Sequence, residues 1–361
     1  MKLHYKIITA IALQSLTVCG FADGDVVNSN SRFNVFIPNL KSGLEFSASA
    51  LVLQPEVANL GWAVVTTVLP IPTPQWRVQS FNPGYKTGFN AGVRYVFENS
   101  GSDIQLNWSY LHANYDNAVS VDPASQWVSP FSQTGTPPTG GEITGVASLK
   151  RATAKLNFDY NSVNLDIGKF VNFGSDLQTR FFAGLESTWI KEKLISNFYG
   201  QPKILFSLNN TSSYSGVGPR LGLHNSYDVS HGLNLIGQFA GAIMMGRMQP
   251  AQYEFAGASS DLALVGIGLN REKVASSRVN QIVPAVDAKL GLSYNYILQQ
   301  NSELNFELGY MGAVYVNALS AYETNTNVIA LDSGSLSTSS VRYIQSNFLV
   351  AGPYATIRLH C

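Results

Sequence analysis

Twelve charged residues stand among apolar neighbours in segments of alternating polarity, and their side chains are the groups in this chain best placed to do chemistry. Because successive side chains of a strand point to opposite faces, a charged residue flanked by apolar ones faces away from them. The two signs are nearly balanced, so an interior lined by these residues would be polar and only weakly ion-selective. The candidate lining residues are Glu45, Arg94, Lys155, Asp159, Asp166, Arg180, Glu186, Arg220, Asp287, Lys289, Glu307 and Arg358.

Catalytic patterns are sparse beside this set. Beyond the N-terminal segment the chain has four histidines, and no cluster of His, Asp and Glu shows the spacing of metal ligands. No Gly-x-Ser-x-Gly elbow precedes a strand-to-helix turn. We therefore expect that the protein is not an enzyme and that it has no cofactor and no metal site.

The strands that carry the charged residues are predicted from period-two alternation. In one of them Ile104, Leu106 and Trp108 form an apolar row, while Gln105 and Asn107 form the opposite, polar row. Ten segments share this pattern. They predict strands at residues 43–54, 86–97, 104–115, 149–171, 177–191, 214–227, 233–247, 281–297, 303–317 and 341–361.

The connections between these strands alternate in length. Short ones lie near residues 98–103, 172–176, 228–232 and 298–302, and long polar ones lie near residues 55–85, 116–148, 192–213, 248–280 and 318–340. This is the plan of bacterial outer-membrane barrels, whose closed sheet leaves no backbone group unpaired in lipid. The sequence therefore predicts an all-β chain: a single antiparallel transmembrane β-barrel of about ten strands, with short periplasmic turns and long extracellular loops. If residues 57–69 and 262–269 also cross, the barrel has twelve.

The composition agrees with a membrane barrel. Charged residues make up 13% of the chain, against roughly 25% in globular proteins, and aromatic residues make up 11%. No interior stretch approaches the ~18 uncharged apolar residues that a membrane helix requires. Composition alone would also fit a secreted β-sandwich, but a sandwich has no reason to alternate short and long connections throughout.

The first 22 residues are predicted to be a signal peptide. Lys2 and Lys6 supply the positive start, residues 7–18 are mainly apolar, and Gly20 and Ala22 are small residues at the cleavage positions. Lipidation of Cys19 is the alternative route. Cleavage would leave residues 23–361 as the barrel, with 21 basic against 23 acidic residues, so nucleic-acid binding is not expected.

Two local features predict finer structure. In the fourth strand the apolar parity changes between Tyr160 and Val163, which predicts a β-bulge near residues 161–162. Aromatic residues stand near several strand ends, where they suit the interfacial girdles of a membrane barrel. They are Tyr95, Tyr110, Trp189, Tyr227 and Tyr296.

Several short motifs, spread from the first predicted strand to the last, resemble the Legionella major outer membrane protein family. They are Ala-Leu-Val-Leu-Gln-Pro at residues 50–55, Gly-Leu at 184–185, Gly-Val-Gly-Pro-Arg-Leu-Gly at 216–222, Pro-Ala-Val-Asp-Ala-Lys-Leu-Gly at 284–291 and Gly-Pro-Tyr at 352–354. The resemblance implies a porin-like surface protein of the cell outer membrane. It implies no catalytic residues.

These patterns predict one function and leave one alternative. The predicted function is that of a porin-like channel that lets small hydrophilic solutes or ions diffuse through a mixed-charge lumen. The alternative is a closed structural or adhesive barrel whose long loops contact the host or the environment. The expected partners are outer-membrane lipids and lipopolysaccharide, the barrel assembly machinery, small hydrophilic solutes and a host surface, and an oligomer is compatible with the pattern. Ten strands enclose a much narrower lumen than the 16–18 strands of large porins.

Overall fold

The computed structural model describes residues 35–361 except 39, 41, 68–75, 123–124, 132–149, 200–203, 258–270, 276, 300–301 and 332–333. The predicted signal peptide lies outside the described residues. Among those that are described, no helix is long and apolar enough to cross a bilayer. The strands are β1 (Val35–Phe36), β2 (Gly43–Val57), β3 (Gly61–Thr67), β4 (Trp76–Ser80), β5 (Lys86–Val96), β6 (Ser102–Ser120), β7 (Gln126–Pro130), β8 (Arg151–Phe173), β9 (Leu177–Tyr199), β10 (Ile204–Ser230), β11 (Leu233–Gly257), β12 (Arg271–Val274), β13 (Val279–Gln299), β14 (Ser302–Leu331) and β15 (Gly334–His360).

Ten of these strands form a closed antiparallel barrel. Around the ring the order is β8, β6, β5, β2, β15, β14, β13, β11, β10 and β9, and the pairing of β9 with β8 completes the circle. The prediction of ten strands is confirmed, and each predicted strand lies within or largely overlaps a barrel strand. Residues 61–67 do not cross: β3 pairs with β4 and β7 in a separate three-stranded sheet. Residues 262–269 lie outside the described part of the chain.

Tight turns join strands at one end of the barrel, which we call the short-turn end. The connection from β10 to β11 consists of His231 and Gly232, both with positive φ (52° and 83°). This backbone is that of the two-residue hairpin turn whose twist matches the strands, and glycine adopts it without steric cost. The opposite end, which receives the long connections, we call the long-loop end.

Strands run further toward the long-loop end than the sequence predicts. Most of the predicted loops 192–213 and 318–340 is paired strand: β9 pairs with β10 as far as Tyr199 and Ile204, and β14 pairs with β15 as far as Leu331 and Gly334. The predicted loops were wrong here because the segments are rich in Asn, Ser and Thr. The hydrogen bonds between strands are made by backbone groups, which every residue except proline can supply in full. Polar side chains therefore do not prevent pairing, and they suit an outer face that meets water.

An apolar belt surrounds the barrel on the side of the short-turn end. On β13, for example, Ile282, Val286, Leu290 and Leu292 are exposed on the outer face, while Asp287 lies inside. Aromatic residues border the belt, with Tyr95, Tyr227 and Tyr296 at the short-turn end and Trp108 and Trp189 at the other edge. An outer face of apolar side chains bordered by aromatic ones is the face that a membrane barrel turns to lipid.

Beyond the belt, toward the long-loop end, the two faces of the wall exchange their chemistry. On β8 the inner face carries Leu156 and Phe158, both fully buried, while the outer face carries Arg151 and Lys155. The predicted bulge at residues 161–162 was wrong, because β8 pairs with both neighbours without a register shift. The change of apolar parity at this point marks a change in what each face contacts.

Apolar side chains fill the inside of the barrel at the long-loop end, and we call this filling the apolar plug. The small sheet contributes Trp62, Val65 and Val128 to the same buried cluster. The largest fully buried side chains that the barrel contributes to the plug include Leu53, Leu111, Leu156, Phe158, Ile190, Phe198 and Phe348. The interior of an eight-stranded barrel is just wide enough for side chains to fill it, and a ten-stranded barrel is only slightly wider. Side chains from the wall therefore reach the centre.

Candidate functional site

Ten of the twelve predicted lining residues lie inside the barrel. They are Glu45, Arg94, Asp166, Arg180, Glu186, Arg220, Asp287, Lys289, Glu307 and Arg358. They occupy the half of the lumen that the apolar belt surrounds, and we call this half the polar lumen. Its position follows from the alternation, because a strand with an apolar outer face has its polar residues on the inner face.

Lys155 and Asp159 were predicted wrongly to line the lumen. Both are on the outer face of β8, beyond the belt, where Lys155 lies 3.8 Å from Asp116 and Asp159 lies 2.5 Å from His112. The prediction assumed that the charged face is the inner one along the whole strand. That assumption fails beyond the belt, where the outer face is the charged one.

Arg220 is the centre of an ionic cluster that ties four strands together. From β10 its Nη1 donates to Asp166 of β8 at 3.0 Å, and its Nη2 donates to Asp287 of β13 at 2.6 Å. Its Nε lies 3.5 Å from Glu186 of β9. The guanidinium is 3% exposed and also lies over the ring of Phe182. The planar guanidinium has five N–H donors that point in different directions, so it can pair with three carboxylates at once. The compact ammonium group of a lysine does not have this geometry.

A second cluster surrounds Asp103, which sequence reasoning missed. The carboxylate is fully buried, accepts from Arg180 Nε at 2.8 Å, and lies 3.2 Å from Arg94 Nε. Arg94 also reaches Glu45 at 3.3 Å. Asp103 was assigned to a turn because the strand was predicted to begin at Ile104. The signal was present, since Asp103 stands two residues before Gln105 and so shares its inner face of the strand.

A third cluster joins the last two strands of the barrel. Arg358 of β15 pairs with Glu307 of β14 and donates to Asn305 at 3.1 Å. The Tyr354 hydroxyl donates to the same Glu307 at 2.5 Å. The ammonium group of Lys289 lies over the Tyr354 ring, 5.6 Å from its centre. Each buried acid of this cluster and of the two others thus has a cation or donor beside it.

An aromatic cluster separates the polar lumen from the apolar plug. The hydroxyls of Tyr160 on β8 and Tyr315 on β14 are 2.8 Å apart, and the Tyr315 hydroxyl also donates to Glu186 at 2.9 Å. The two strands are five positions apart in either direction around the ring. The ring of Phe348 packs against Tyr160 and Phe158, with its centre 5.7 Å and 6.0 Å from theirs. Opposite walls of the barrel therefore meet at its axis.

Small cavities remain between the side chains of the polar lumen. One of about 70 Å³ lies beside the Arg220 cluster and below Tyr160 and Tyr315. Another, of about 120 Å³, lies toward the short-turn end beside Arg94, Arg180 and Arg358. Among the described residues no group of three or more His, Cys, Asp or Glu side chains could hold a metal ion. The chemistry that this arrangement provides is ionic cross-linking and the binding of small polar species.

Two solved structures of outer-membrane proteins are similar to this chain at low sequence identity. Among solved structures, the outer membrane protease OmpT from Escherichia coli shares 11% identity and a TM-score of 0.42, with coverage of 89% of this chain and 99% of that one. The translocator domain of the autotransporter NalP from Neisseria meningitidis shares 9% identity and a TM-score of 0.34, with coverage of 98% and 95%.

The search of curated proteins finds no match to the chain. The family model described as the Legionella pneumophila major outer membrane protein precursor matches residues 36–361, which is nearly the whole chain. The closed barrel and its apolar belt agree with that match. The chain belongs to the Legionella major outer membrane protein family and is a β-barrel of the cell outer membrane.

Proposed function

We propose that this protein is a closed surface barrel, whose interior stabilises the wall and whose hairpins at the long-loop end make its functional contacts. The observation that carries the proposal is the aromatic cluster, in which Tyr160 and Tyr315 join opposite walls at the axis. Above it the apolar plug fills the lumen, and a hydrated ion would lose its water there without replacement. The cost of moving an unpaired ion into such surroundings is many kcal/mol.

The surface that remains for function is at the long-loop end, which faces the outside of the cell if the short turns are periplasmic. It comprises the β9–β10 and β14–β15 hairpins and the small sheet of β3, β4 and β7. These elements are the proposed contacts with a host or the environment. The belt would meet membrane lipids and lipopolysaccharide, and the barrel assembly machinery would insert the chain. We propose no catalytic activity, because the buried acids and bases are engaged with one another.

The competing function is passive diffusion of small hydrophilic solutes or ions. The observation in its favour is the polar lumen, whose ten charged residues of both signs would provide a lining without strong ion selectivity. For this function the aromatic cluster and the apolar plug would have to move aside. The two functions therefore differ in what the resting barrel conducts.

The decisive experiment is single-channel recording of the refolded protein in planar bilayers at high salt. The closed barrel predicts no conductance steps from the native chain, and steps from a variant in which Phe158, Tyr160 and Phe348 are all replaced by alanine. The control replaces Phe239, Leu290 and Leu292, which face lipid, by alanine and is expected to remain silent. Regular steps from the native protein, with its barrel fold confirmed by circular dichroism, would establish the porin instead.

A further inference from the structure

The cavity of about 120 Å³ at the short-turn end of the polar lumen has an unusual lining, and we call it the arginine basin. Arg94, Arg180 and Arg358 line it together with His224. The remaining polar lining consists of hydroxyl and amide side chains such as Ser293 and Asn295. One buried water requires only ~10–15 Å³ of such a cavity, so the basin can take a small polyatomic ligand.

The charges around the basin are arranged with the cations inward. No carboxylate of the described residues lines it. The acids that balance the arginines lie behind them: Asp103 pairs with Arg94 and Arg180, and Glu307 pairs with Arg358. The basin therefore presents guanidinium groups, while the balancing negative charge is turned away from its interior.

Two donors of the arginines that line the basin make no hydrogen bond among the described residues: Arg94 Nε, which lies 3.2 Å from Asp103, and Arg180 Nη2. Arg180 is 3% exposed, and its Nε is engaged by Asp103, but its Nη2 makes no hydrogen bond. Buried polar groups are almost always paired, because an unpaired one costs about 1–3 kcal/mol and a charged one costs more. An arginine with a free donor, in the lining of a cavity that two further arginines also line, fits the recognition of an anion with several oxygens.

We propose that the arginine basin binds a small free oxyanion of the phosphate or carboxylate class, which enters from the periplasmic end. The wall of β-strands separates the basin from the lipid, so a dissolved anion reaches it more directly than a lipid headgroup does. The proposal does not depend on whether the barrel conducts, because the basin lies on the short-turn side of the aromatic cluster. Water bound by the basin alone is the alternative occupant.

The test uses the refolded full chain in a detergent without phosphate, with inorganic phosphate as the probe and calorimetry as the readout. The native protein is expected to show saturable binding of about one phosphate per barrel. Binding should raise the thermal midpoint above that in chloride of equal ionic strength, because a ligand that binds only the folded state stabilises it. Absence of saturable binding to the folded protein would overturn the proposal and leave water as the occupant.

The location is tested with a variant that removes an ion pair as a unit, Arg180→Gln with Asp103→Asn, so that no buried charge is left alone. It should weaken phosphate binding by at least tenfold. The matched control is Lys155→Gln with Asp116→Asn, an exposed pair on the outer wall, which should leave binding unchanged. Equal weakening in both variants, or in neither, would contradict the assignment to the basin.

A second variant covers the case in which the first fails to fold. Ser293→Asp keeps every ion pair and adds a carboxylate to the lining, so it should also weaken phosphate binding at least tenfold. The source of the anion is tested in parallel with short-chain phosphatidylglycerol added to the micelles. Binding of this lipid without binding of inorganic phosphate would replace the free anion by a headgroup and overturn the proposal as stated.

Discussion

The polar lumen and the apolar plug are enclosed by the same ten strands, yet their interiors are built from opposite chemistry. In the polar lumen the inner face carries ion pairs such as Arg220 with Asp166, and the outer face carries side chains such as Leu290. In the apolar plug the inner face carries Phe158, and the outer face carries Lys155. Strand direction does not change between the two regions, and β8 keeps its register with both neighbours.

The difference follows from the medium outside the wall. Where lipid surrounds the barrel, the outer face must be apolar, so polar residues have their place on the inner face. Where water surrounds it, the outer face can be polar, and an apolar interior then gains free energy as in any soluble protein. A narrow barrel can therefore be filled by ion pairs in one region and by hydrophobic packing in the next. Each region should respond in its own way when its contacts are removed.

The largest effect is expected from Arg220→Met, which leaves Asp166, Glu186 and Asp287 without their shared cation. Removing one partner of a buried ionic cluster costs about 3–5 kcal/mol of unfolding free energy, because the remaining charges stay buried. Urea unfolding in detergent, followed by tryptophan fluorescence, measures the loss. Lys155→Met, in an exposed pair, should change the stability by less than about 1 kcal/mol. Equal losses would erase the distinction between inner and outer charges.

The next effect concerns the plug. Phe158→Ala should lower the unfolding free energy by about 3 kcal/mol, since it leaves a cavity among residues that cannot fully close it. Phe239→Ala, on the lipid-facing side, should cost clearly less, because lipid chains can fill the space. The same unfolding experiment compares them. A larger loss for Phe239→Ala would show that the plug is loosely packed.

A smaller effect is expected when a charge is placed on the belt. Leu290→Arg should destabilise the barrel by at least about 2 kcal/mol, as arginine does near the middle of the lipid layer. Asn157→Arg, on the outer face of β8 beyond the belt, should have little effect because that face meets water. The fraction of heat-modifiable barrel on gels after refolding measures both. Equal tolerance of the two substitutions would contradict the position of the belt.

The smallest effect tests the contact between the walls. Tyr160→Phe removes one hydroxyl of the pair with Tyr315 and should cost about 0.5–1.5 kcal/mol, the usual net contribution of one hydrogen bond. A double-mutant cycle with Tyr315→Phe isolates the coupling between the two residues. A coupling energy near zero would show that the hydroxyls do not interact across the lumen.

The errors of the sequence prediction occur mainly where the barrel leaves the lipid. Alternation located all ten strands, and ten of the twelve charged residues that it singled out lie inside the described barrel, because both depend on the period of two. Lys155, Asp159 and the supposed bulge at residues 161–162 were predicted wrongly for one reason: the pattern was assumed to mean the same thing along the whole strand. Asp103 was missed through a strand boundary misplaced by two residues.

The sequence alone determined the class of the protein, the ten alternating segments and the apolar face that each turns to lipid, because lipid imposes a local rule on every second residue. The choice between ten and twelve crossing strands came from the pairing of β3 with β4 and β7. The sequence could not determine which acids and bases would meet. Arg220 contacts residues 34 to 67 positions away along the chain, and only closure of the ring brings them together. The contact between Tyr160 and Tyr315 depends on the diameter of the closed barrel in the same way. Whether the interior is open is therefore decided by the tertiary structure, since it depends on distances across the ring.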